Sequence, residues 1–176
     1  MATRIHKAFG QIQGFLRKNQ LDAWLLYDYR GLNPFLWEVL GPVSNVTRPC
    51  WLLIPSNGTP RILAHHVDVG RFVNTNLTVI SFSNQRQMEA GLRRLLRGRS
   101  RIAMEYSPDG TLPRVSRVDA GTIERIRNLG MEIVSSADLI QDTTQRWTKS
   151  QLEGHKSAAA KLSQVVQETF TYVGLN

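Results

Sequence analysis

Apolar residues recur along the chain in two distinct patterns. One set is spaced three or four residues apart and comprises Ile5, Phe9, Ile12 and Leu16. This spacing predicts an amphipathic helix over residues 4–19. The other pattern consists of short apolar runs, which are typical of buried strands. These runs predict strands at residues 23–27, 50–54, 61–65, 77–82, 101–106 and 131–134.

The segments between these runs decide how the strands connect. Asn57-Gly58 lies in a six-residue link between the second and third runs, and Asn-Gly favours a tight turn, so this pair is predicted to be antiparallel. In the second half, helical patterns at residues 68–73, 85–96 and 113–129 alternate with strands. Such alternation indicates parallel strands. We therefore predict a three-layer α/β domain with a mixed, mostly parallel sheet of about six strands flanked by helices.

A separate long helix is predicted at the end of the chain. Residues 137–145 are interpreted as a polar connection, and Ser150-Gln151-Leu152-Glu153 has the pattern of a capping box. An apolar stripe then follows at Leu152, Ala159, Leu162, Val166, Phe170 and Val173. We therefore divide the chain into a domain over residues 1–145 and a junction with a helix over residues 146–176.

Composition narrows the class of protein. The 176 residues are 41% apolar and 20% charged, which is ordinary for a folded domain. No apolar run reaches the roughly 20 residues of a membrane span, and no signal peptide is evident, so we expect a cytoplasmic protein. Cys50, the one cysteine, excludes an internal disulfide, and its apolar neighbours predict a buried, unreactive thiol.

The net charge is +8, and arginines are concentrated between residues 86 and 101. Helical periodicity places Met88, Leu92 and Leu95 on one face of the predicted helix and most of these arginines outside it, which favours a solvent-exposed helix face. No aromatic residues are interleaved with the arginines, as a platform for single-stranded nucleic acid would require. A free-standing basic module that binds nucleotides or nucleic acid remains the alternative function.

Several segments resemble the creatinase/prolidase, or pita-bread, metallopeptidases. The junction Arg146-Trp147-Thr148-Lys149-Ser150-Gln151-Leu152-Glu153, followed by Ala158-Ala159, is similar to the family's junction between domains. Residues 48–58 resemble its second strand and turn, and residues 130–140 its last strand and exit. Asn33-Pro34-Phe35-Leu36 lies where the family has an Asn-x-x-Tyr-Leu-Thr-Gly segment, although this chain lacks the Thr-Gly.

The resemblance implies that this chain is a non-catalytic amino-terminal domain, cut off before a catalytic domain. It also implies a homodimer, with the missing domain as a partner and neither membrane nor nucleic acid expected. The whole protein would be a metal-dependent Xaa-Pro peptidase or a creatinase-like amidinohydrolase. In the family, two divalent ions (Mn, Co or Zn) are held by two Asp, one His and two Glu residues of the catalytic domain. No such ligand set is found in these 176 residues.

The resemblance further implies that this domain lines the entrance to a partner subunit's active site. No catalytic or metal-binding residue is therefore assigned to the chain. Arg48 matches the family's contact region before the second strand, and its planar fork suits a substrate carboxylate. His65 and His66 end the third strand and are expected to face opposite sides of it. Tyr29 and Trp37 lie in the irregular loop that would form the rim. Solvent exposure of Arg48 and local packing of the aromatic residues are the alternatives.

Overall fold

The computed structural model describes residues 2–41, 43 and 46–175, with side chains described from residue 9 onward. Pro42, which belongs to the segment predicted to be an irregular loop after the first strand, and the side chain of Ile5 lie outside this description. The chain divides into two compact units, Met1–Thr144 and Gln145–Asn176.

The first unit alternates strands with helices. Its strands are β1 (Ala23–Asp28), β2 (Cys50–Pro55), β3 (Arg61–His65), β4 (Thr78–Phe82), β5 (Arg101–Met104) and β6 (Glu132–Ser135). Its α-helices are α1 (Ala2–Lys18), α2 (Pro34–Leu40), α3 (Gln85–Leu96), α4 (Ala120–Asn128) and α5 (Ala137–Thr143). Short 3-10 turns occupy Val69–Thr75 and Pro108–Gly110.

All six strands form one sheet in the order β4-β3-β2-β1-β5-β6. β2 is antiparallel to both of its neighbours, whereas the pairs β1–β5, β3–β4 and β5–β6 are parallel. The predicted hairpin is present, because Leu53 pairs with Arg61 across a link in which Gly58 has a φ of 100°. The predicted mixed, mostly parallel α/β sheet is therefore confirmed.

Two apolar cores lie on opposite faces of this sheet. On one face, Trp24 and Leu26 of β1 belong to a cluster that includes residues of α1, α2 and α5. On the other face, Leu25 belongs to a cluster that includes residues of α3 and α4. Every residue of β1 is buried, as expected for a central strand covered on both faces. Cys50 is buried in the first core, as predicted, and burial raises the pKa of its thiol well above the usual value.

Gly91 allows α3 to lie close to the sheet. A Cβ atom at this position would be 2.6 Å from Cδ1 of Leu63 on β3, which is closer than two carbon atoms can approach. The missing side chain therefore sets the distance between this helix and the sheet.

Two boundaries predicted for the second half are wrong. The helix predicted over residues 113–129 begins only at Ala120, where the Asp119 carboxylate accepts a hydrogen bond from Thr122 N at 2.8 Å. The preceding segment cannot be helical because the N–H groups of Arg117 and Val118 both donate to the carbonyl of Glu105.

The polar connection predicted over residues 137–145 is instead largely the helix α5. Leu139 and Ile140 are buried in the first core, and these two apolar side chains dock the short helix. Two apolar residues among polar ones are too few for a periodic pattern, which is why the sequence indicated a loop.

The second unit contains the predicted long helix, α6 (Lys149–Leu175). Its cap lies two residues before the predicted one. Thr148 Oγ1 accepts from Gln151 N at 3.2 Å, and Gln151 Oε1 accepts from Thr148 N at 2.8 Å. Every described residue of α6 is exposed, including Leu162, Phe170 and Val173. Within the described part of the chain, no helix has the length and apolar character needed to cross a bilayer.

Candidate functional site

The sheet brings four of the five predicted site residues to one edge. We define the carboxyl edge as the side where β1, β3, β4, β5 and β6 end and β2 begins. Tyr29 follows β1, Arg48 precedes β2, and His65 ends β3 with His66 directly after it. Since β1, β2 and β3 are adjacent, these side chains come from three neighbouring strands.

Arg48 is exposed at this edge, and its backbone is anchored by a buried carboxylate. Asp68 Oδ2 accepts hydrogen bonds from Thr47 N at 3.0 Å and Arg48 N at 2.9 Å, and Arg71 Nε lies 3.3 Å from Oδ1. Burial acts to raise the pKa of Asp68, but these hydrogen bonds and Arg71 outweigh it, so the pKa lies below its usual value. Asp68, which the sequence analysis missed, therefore fixes the backbone from which the Arg48 side chain extends.

The two histidines do not separate as expected. Their rings are in contact, with centroids 4.3 Å apart, and the ring of His65 also meets the ring of Phe82 edge-on at 5.3 Å. The alternation of side chains fails here because β3 ends at His65, and His66 already belongs to the following turn. Val67 N donates to His65 Nδ1 at 3.4 Å. Among the described residues, no three His, Cys, Asp or Glu side chains are grouped as metal ligands.

The two predicted aromatic residues differ in their surroundings. Tyr29 is 45% exposed at the carboxyl edge. Trp37 lies on α2 and stacks on Phe72, with ring centroids 6.5 Å apart and planes inclined by 19°. Its indole nitrogen is buried and has no hydrogen-bond partner among the residues described. The main surroundings of Trp37 are therefore those of a packed side chain.

Below this edge lies a buried polar network that the sequence analysis did not predict. Glu105, directly after β5, is fully buried and accepts hydrogen bonds from Trp24 Nε1 at 2.5 Å and Asn33 Nδ2 at 2.9 Å. Tyr27 N donates to it at 3.3 Å, and Ser136 Oγ, after β6, lies 3.4 Å away. The network therefore joins the ends of β1, β5 and β6.

A second buried carboxylate continues the network into the loop after β1. Asp28 accepts from Gly31 N at 2.7 Å and from Asn33 N at 2.6 Å. Asn33 in turn caps α2 by accepting from Phe35 N. Asn33, which was noted in the resemblance to the creatinase/prolidase family, thus links a strand, a helix and Glu105.

Burial raises the pKa of Glu105 to about 7, and the hydrogen bonds from Trp24, Tyr27 and Asn33 offset only part of that effect. Glu105 lies at the point where the strand order changes direction: β2, β3 and β4 follow one another on one side of β1, and β5 lies on its other side. Clefts at such a switch point often bind ligands in α/β proteins. Here the position is filled by the protein's own side chains, so the network supports the edge above it.

Comparisons of sequence find no matching family model and no matching curated protein. Comparisons of structure do find relatives. The creatinase/prolidase N-terminal domain of an X-Pro dipeptidase from Streptococcus pyogenes matches 76% of this chain and 95% of its own, with a TM-score of 0.60 and 11% identity. This chain has the creatinase/prolidase amino-terminal fold.

Longer proteins contain the same fold. Dipeptidase PepE from Mycobacterium ulcerans matches 93% of this chain with a TM-score of 0.68 and 11% identity. A dipeptidase from Pyrococcus horikoshii also matches 93% of it, with a TM-score of 0.64 and 20% identity. This chain spans 43% and 44% of those two proteins. The creatinase/prolidase amino-terminal fold therefore occurs both as a domain-sized structure and as less than half of a dipeptidase chain.

Proposed function

We propose that this chain is the non-catalytic amino-terminal domain of an Xaa-Pro dipeptidase or a related hydrolase. The observation that carries this proposal is the match to a creatinase/prolidase N-terminal domain over 95% of that domain. The dipeptidases that share the fold support the same assignment. A cytoplasmic location belongs to this proposal and rests on the expectation drawn from the sequence.

In this proposal the chemistry belongs to a separate catalytic domain that holds two divalent metal ions. Such ions would supply a metal-activated water as the nucleophile. This chain would contribute no group to the reaction itself.

The carboxyl edge is proposed to shape the entrance through which substrate reaches that domain. It presents an arginine, two histidines in ring contact and the exposed side chain of Tyr29. Arg48 has the chemistry to bind a peptide carboxylate through its guanidinium group. Its backbone is held by Asp68, so the side chain starts from a fixed point.

Reading the gene beyond codon 176 tests the assignment most directly. We expect a following domain with two Asp, one His and two Glu residues in the family's ligand order. In the encoded protein, Arg48→Ala should lower kcat/KM for an Xaa-Pro dipeptide by roughly tenfold to 150-fold, since a charge-assisted hydrogen bond contributes about 1.5–3 kcal/mol. Arg94→Ala removes an exposed arginine from α3 and serves as the control. A stop codon in place of that domain, or equal kinetics in both variants, would contradict the proposal.

Assembly as a homodimer is the remaining part of the proposal. It is supported by the exposed apolar side chains of α6, which would gain stability from packing on another surface. Analytical ultracentrifugation of the present chain should detect a dimer. Replacing Leu162 and Phe170 by Lys should convert it to a monomer, whereas replacing Gln164 and Gln167 by Lys should not. A monomer for the unmodified chain at all concentrations would reject dimerisation through this helix.

A further inference from the structure

The opposite edge of the sheet concentrates positive charge from three separate segments. We define the basic edge as Arg17 and Lys18 at the end of α1, Arg61 at the start of β3, and Arg97, Arg99 and Arg101 around the start of β5. The carboxylates of Asp22 and Glu132 lie at the same edge. Six cations therefore face two carboxylates, and four positive charges remain in excess.

Hydrogen bonds between these segments show that they form one surface. Asp22 lies at the centre, because its carbonyl accepts from Ser56 N and its carboxylate accepts from the N–H groups of Ser100 and Arg101. Arg17 Nη1 donates to the Ser56 carbonyl at 2.8 Å. Burial lowers the pKa of Arg99, the nearby Asp22 carboxylate raises it and the nearby Arg61 guanidinium lowers it, so all three charged groups lie close together. The start of β3 and the start of β5 are three strand spacings apart, about 14 Å.

Helix dipoles explain only part of this charge. Arg17 and Lys18 lie in the last turn of α1, where cations stabilise the negative end of the helix dipole. Arg61 begins a strand, and Arg97, Arg99 and Arg101 follow the last turn of α3. These four arginines come from strand starts and a loop, so the periodicity of a single helix does not account for them.

The arginine side chains at the basic edge, and the small residues between them, have the chemistry of a phosphate-binding surface. Arg61 and Arg97 are exposed, and neither side chain forms a hydrogen bond with the part of the chain that the structure describes. Between the cations lie small residues at Ser56-Asn57-Gly58-Thr59, Gly98 and Ser100. Such residues let a backbone approach a phosphate, while the N–H groups of Ser56 and Ser100 already donate to Asp22.

The amino-acid composition of the basic edge favours a polyanion over a protein as its partner. Protein interfaces are anchored by large apolar and aromatic side chains. Among the described residues, every large apolar side chain that is exposed lies outside segments 17–22, 55–61 and 97–101. The same absence of aromatic side chains disfavours stacking on single-stranded bases.

We propose that the basic edge binds the phosphate backbone of double-stranded nucleic acid, independently of base sequence. The sequence analysis kept nucleic-acid binding only as an alternative, because it assigned most of the arginines between residues 86 and 101 to the solvent-exposed face of one helix. The fold instead gathers arginines from β3, β5 and the preceding loop beside the end of α1. This function is additional to the proposed role in a dipeptidase and does not depend on it.

Fluorescence anisotropy of the chain with a labelled 20-base-pair duplex of mixed sequence tests this proposal. Binding should be detectable in 50 mM salt and should weaken steeply by 200 mM, because each phosphate contact adds about 0.9 to the slope of log K against log salt. The double variant Arg61→Ala, Arg97→Ala should lower that slope by about 1.8. Arg86→Ala with Arg114→Ala removes the same charge from exposed positions at the carboxyl edge and should leave the slope nearly unchanged.

Three outcomes would overturn the proposal. Equal losses in the two double variants would show that net charge alone drives binding. Tighter binding of a single strand of the same length, of polyglutamate or of anionic lipid vesicles would assign the edge to another partner. An absence of duplex binding in 50 mM salt would remove the basis of the inference. Thermal unfolding of each variant verifies that the folded state is compared throughout.

Discussion

The two edges of the sheet handle charge in opposite ways. At the carboxyl edge, three carboxylates are buried and accept hydrogen bonds from backbone and side-chain N–H groups; they are Asp28, Asp68 and Glu105. At the basic edge, Asp22 and Glu132 remain accessible and are outnumbered by cations. The exposed apolar residues Tyr29, Leu32, Val67 and Leu112 all follow strands at the carboxyl edge.

This difference follows from what each edge has to hold. The loops after β1 and β5 are long and irregular, so their backbone groups need internal acceptors, and buried carboxylates provide them. The connections at the basic edge are short, and hydrogen bonds to Asp22 suffice to align them. Arg61 and Arg97 remain exposed there, whereas Arg17 and Arg101 bond to the Ser56 carbonyl and to Glu132. Buried carboxylates therefore fix the loop positions at the carboxyl edge, whereas the basic edge exposes charged side chains.

Removing the central carboxylate of the carboxyl edge should have the largest effect on stability. Glu105→Ala leaves Trp24 Nε1 and Tyr27 N without their Glu105 acceptor in a buried site, whereas Asn33 Nδ2 keeps its hydrogen bond to the Tyr27 carbonyl. At about 1–3 kcal/mol for each of these two buried unsatisfied groups, we expect a loss of roughly 2–6 kcal/mol. Urea unfolding of the chain measures it, and the isosteric Glu105→Gln should lose distinctly less. A loss below about 1 kcal/mol for the alanine variant would contradict this account of the network.

The same residue should make stability depend on pH. Its pKa rises from 4.5 to about 7 on folding, so the folded state binds the proton more tightly than the unfolded state. The stabilisation is therefore complete below about pH 4.5 and is lost as the pH rises through 7, by up to about 3 kcal/mol. Urea unfolding at pH 5 and pH 8 measures the difference, and Glu105→Gln should abolish most of it. An identical pH difference in the variant would assign the effect to another group.

Asp22 at the basic edge should behave in the opposite sense and more weakly. Hydrogen bonds from the backbone of Arg101 and Ser100 lower the pKa of its carboxyl, so its stabilisation is present above pH 3.8 and is lost as the pH falls further. Asp22→Asn should cost about 1 kcal/mol at pH 7, because solvent screens this carboxylate. Unfolding experiments at pH 7 and pH 3 should show a smaller loss at the lower pH. A loss as large as that of Glu105→Ala would remove the contrast between the edges.

Glu132 should have the smallest effect. Its ion pair with Arg101, at 3.0 Å, is exposed to solvent on both sides. Glu132→Gln should change the free energy of unfolding by less than about 0.5 kcal/mol. If the basic edge binds duplex nucleic acid, the same substitution should tighten that binding slightly, because it removes a negative charge. Weaker binding by this variant would speak against a phosphate-binding surface.

Much of the fold follows from local patterns in the sequence. The strands, the Asn57-Gly58 turn and the helix over residues 85–96 were predicted close to their observed bounds because each has a period or a turn residue that acts over a few positions. The start of α4 and the whole of α5 were missed. The first depends on N–H groups that bond to Glu105, and the second on two apolar side chains that dock on a distant core.

The candidate site was predictable only where a resemblance supplied positions. Arg48, His65, His66 and Tyr29 were chosen from separate segments, and the sheet order brings them to one edge. Their roles remain predictions. Asp68 and Glu105 could not be recognised, because a single acidic residue beside a strand has no pattern, and its partners lie far away in sequence. The contact between the two histidine rings depends on the last residue of β3, which pattern analysis locates poorly.

The partners of Glu105 also bear on how the protein folds. Trp24, Tyr27 and Asn33 precede it by 81, 78 and 72 residues. The hydrogen bonds that these three residues make to Glu105 therefore cannot form until most of the domain has been synthesised and β5 has joined β1, although Asn33 Nδ2 also has a local acceptor in the Tyr27 carbonyl. Closing such long loops is entropically slow. Before β5 joins, β1 would be the edge strand of a four-stranded sheet formed by β1 to β4. Pairing of β5 with β1 would then be the step that establishes the native topology.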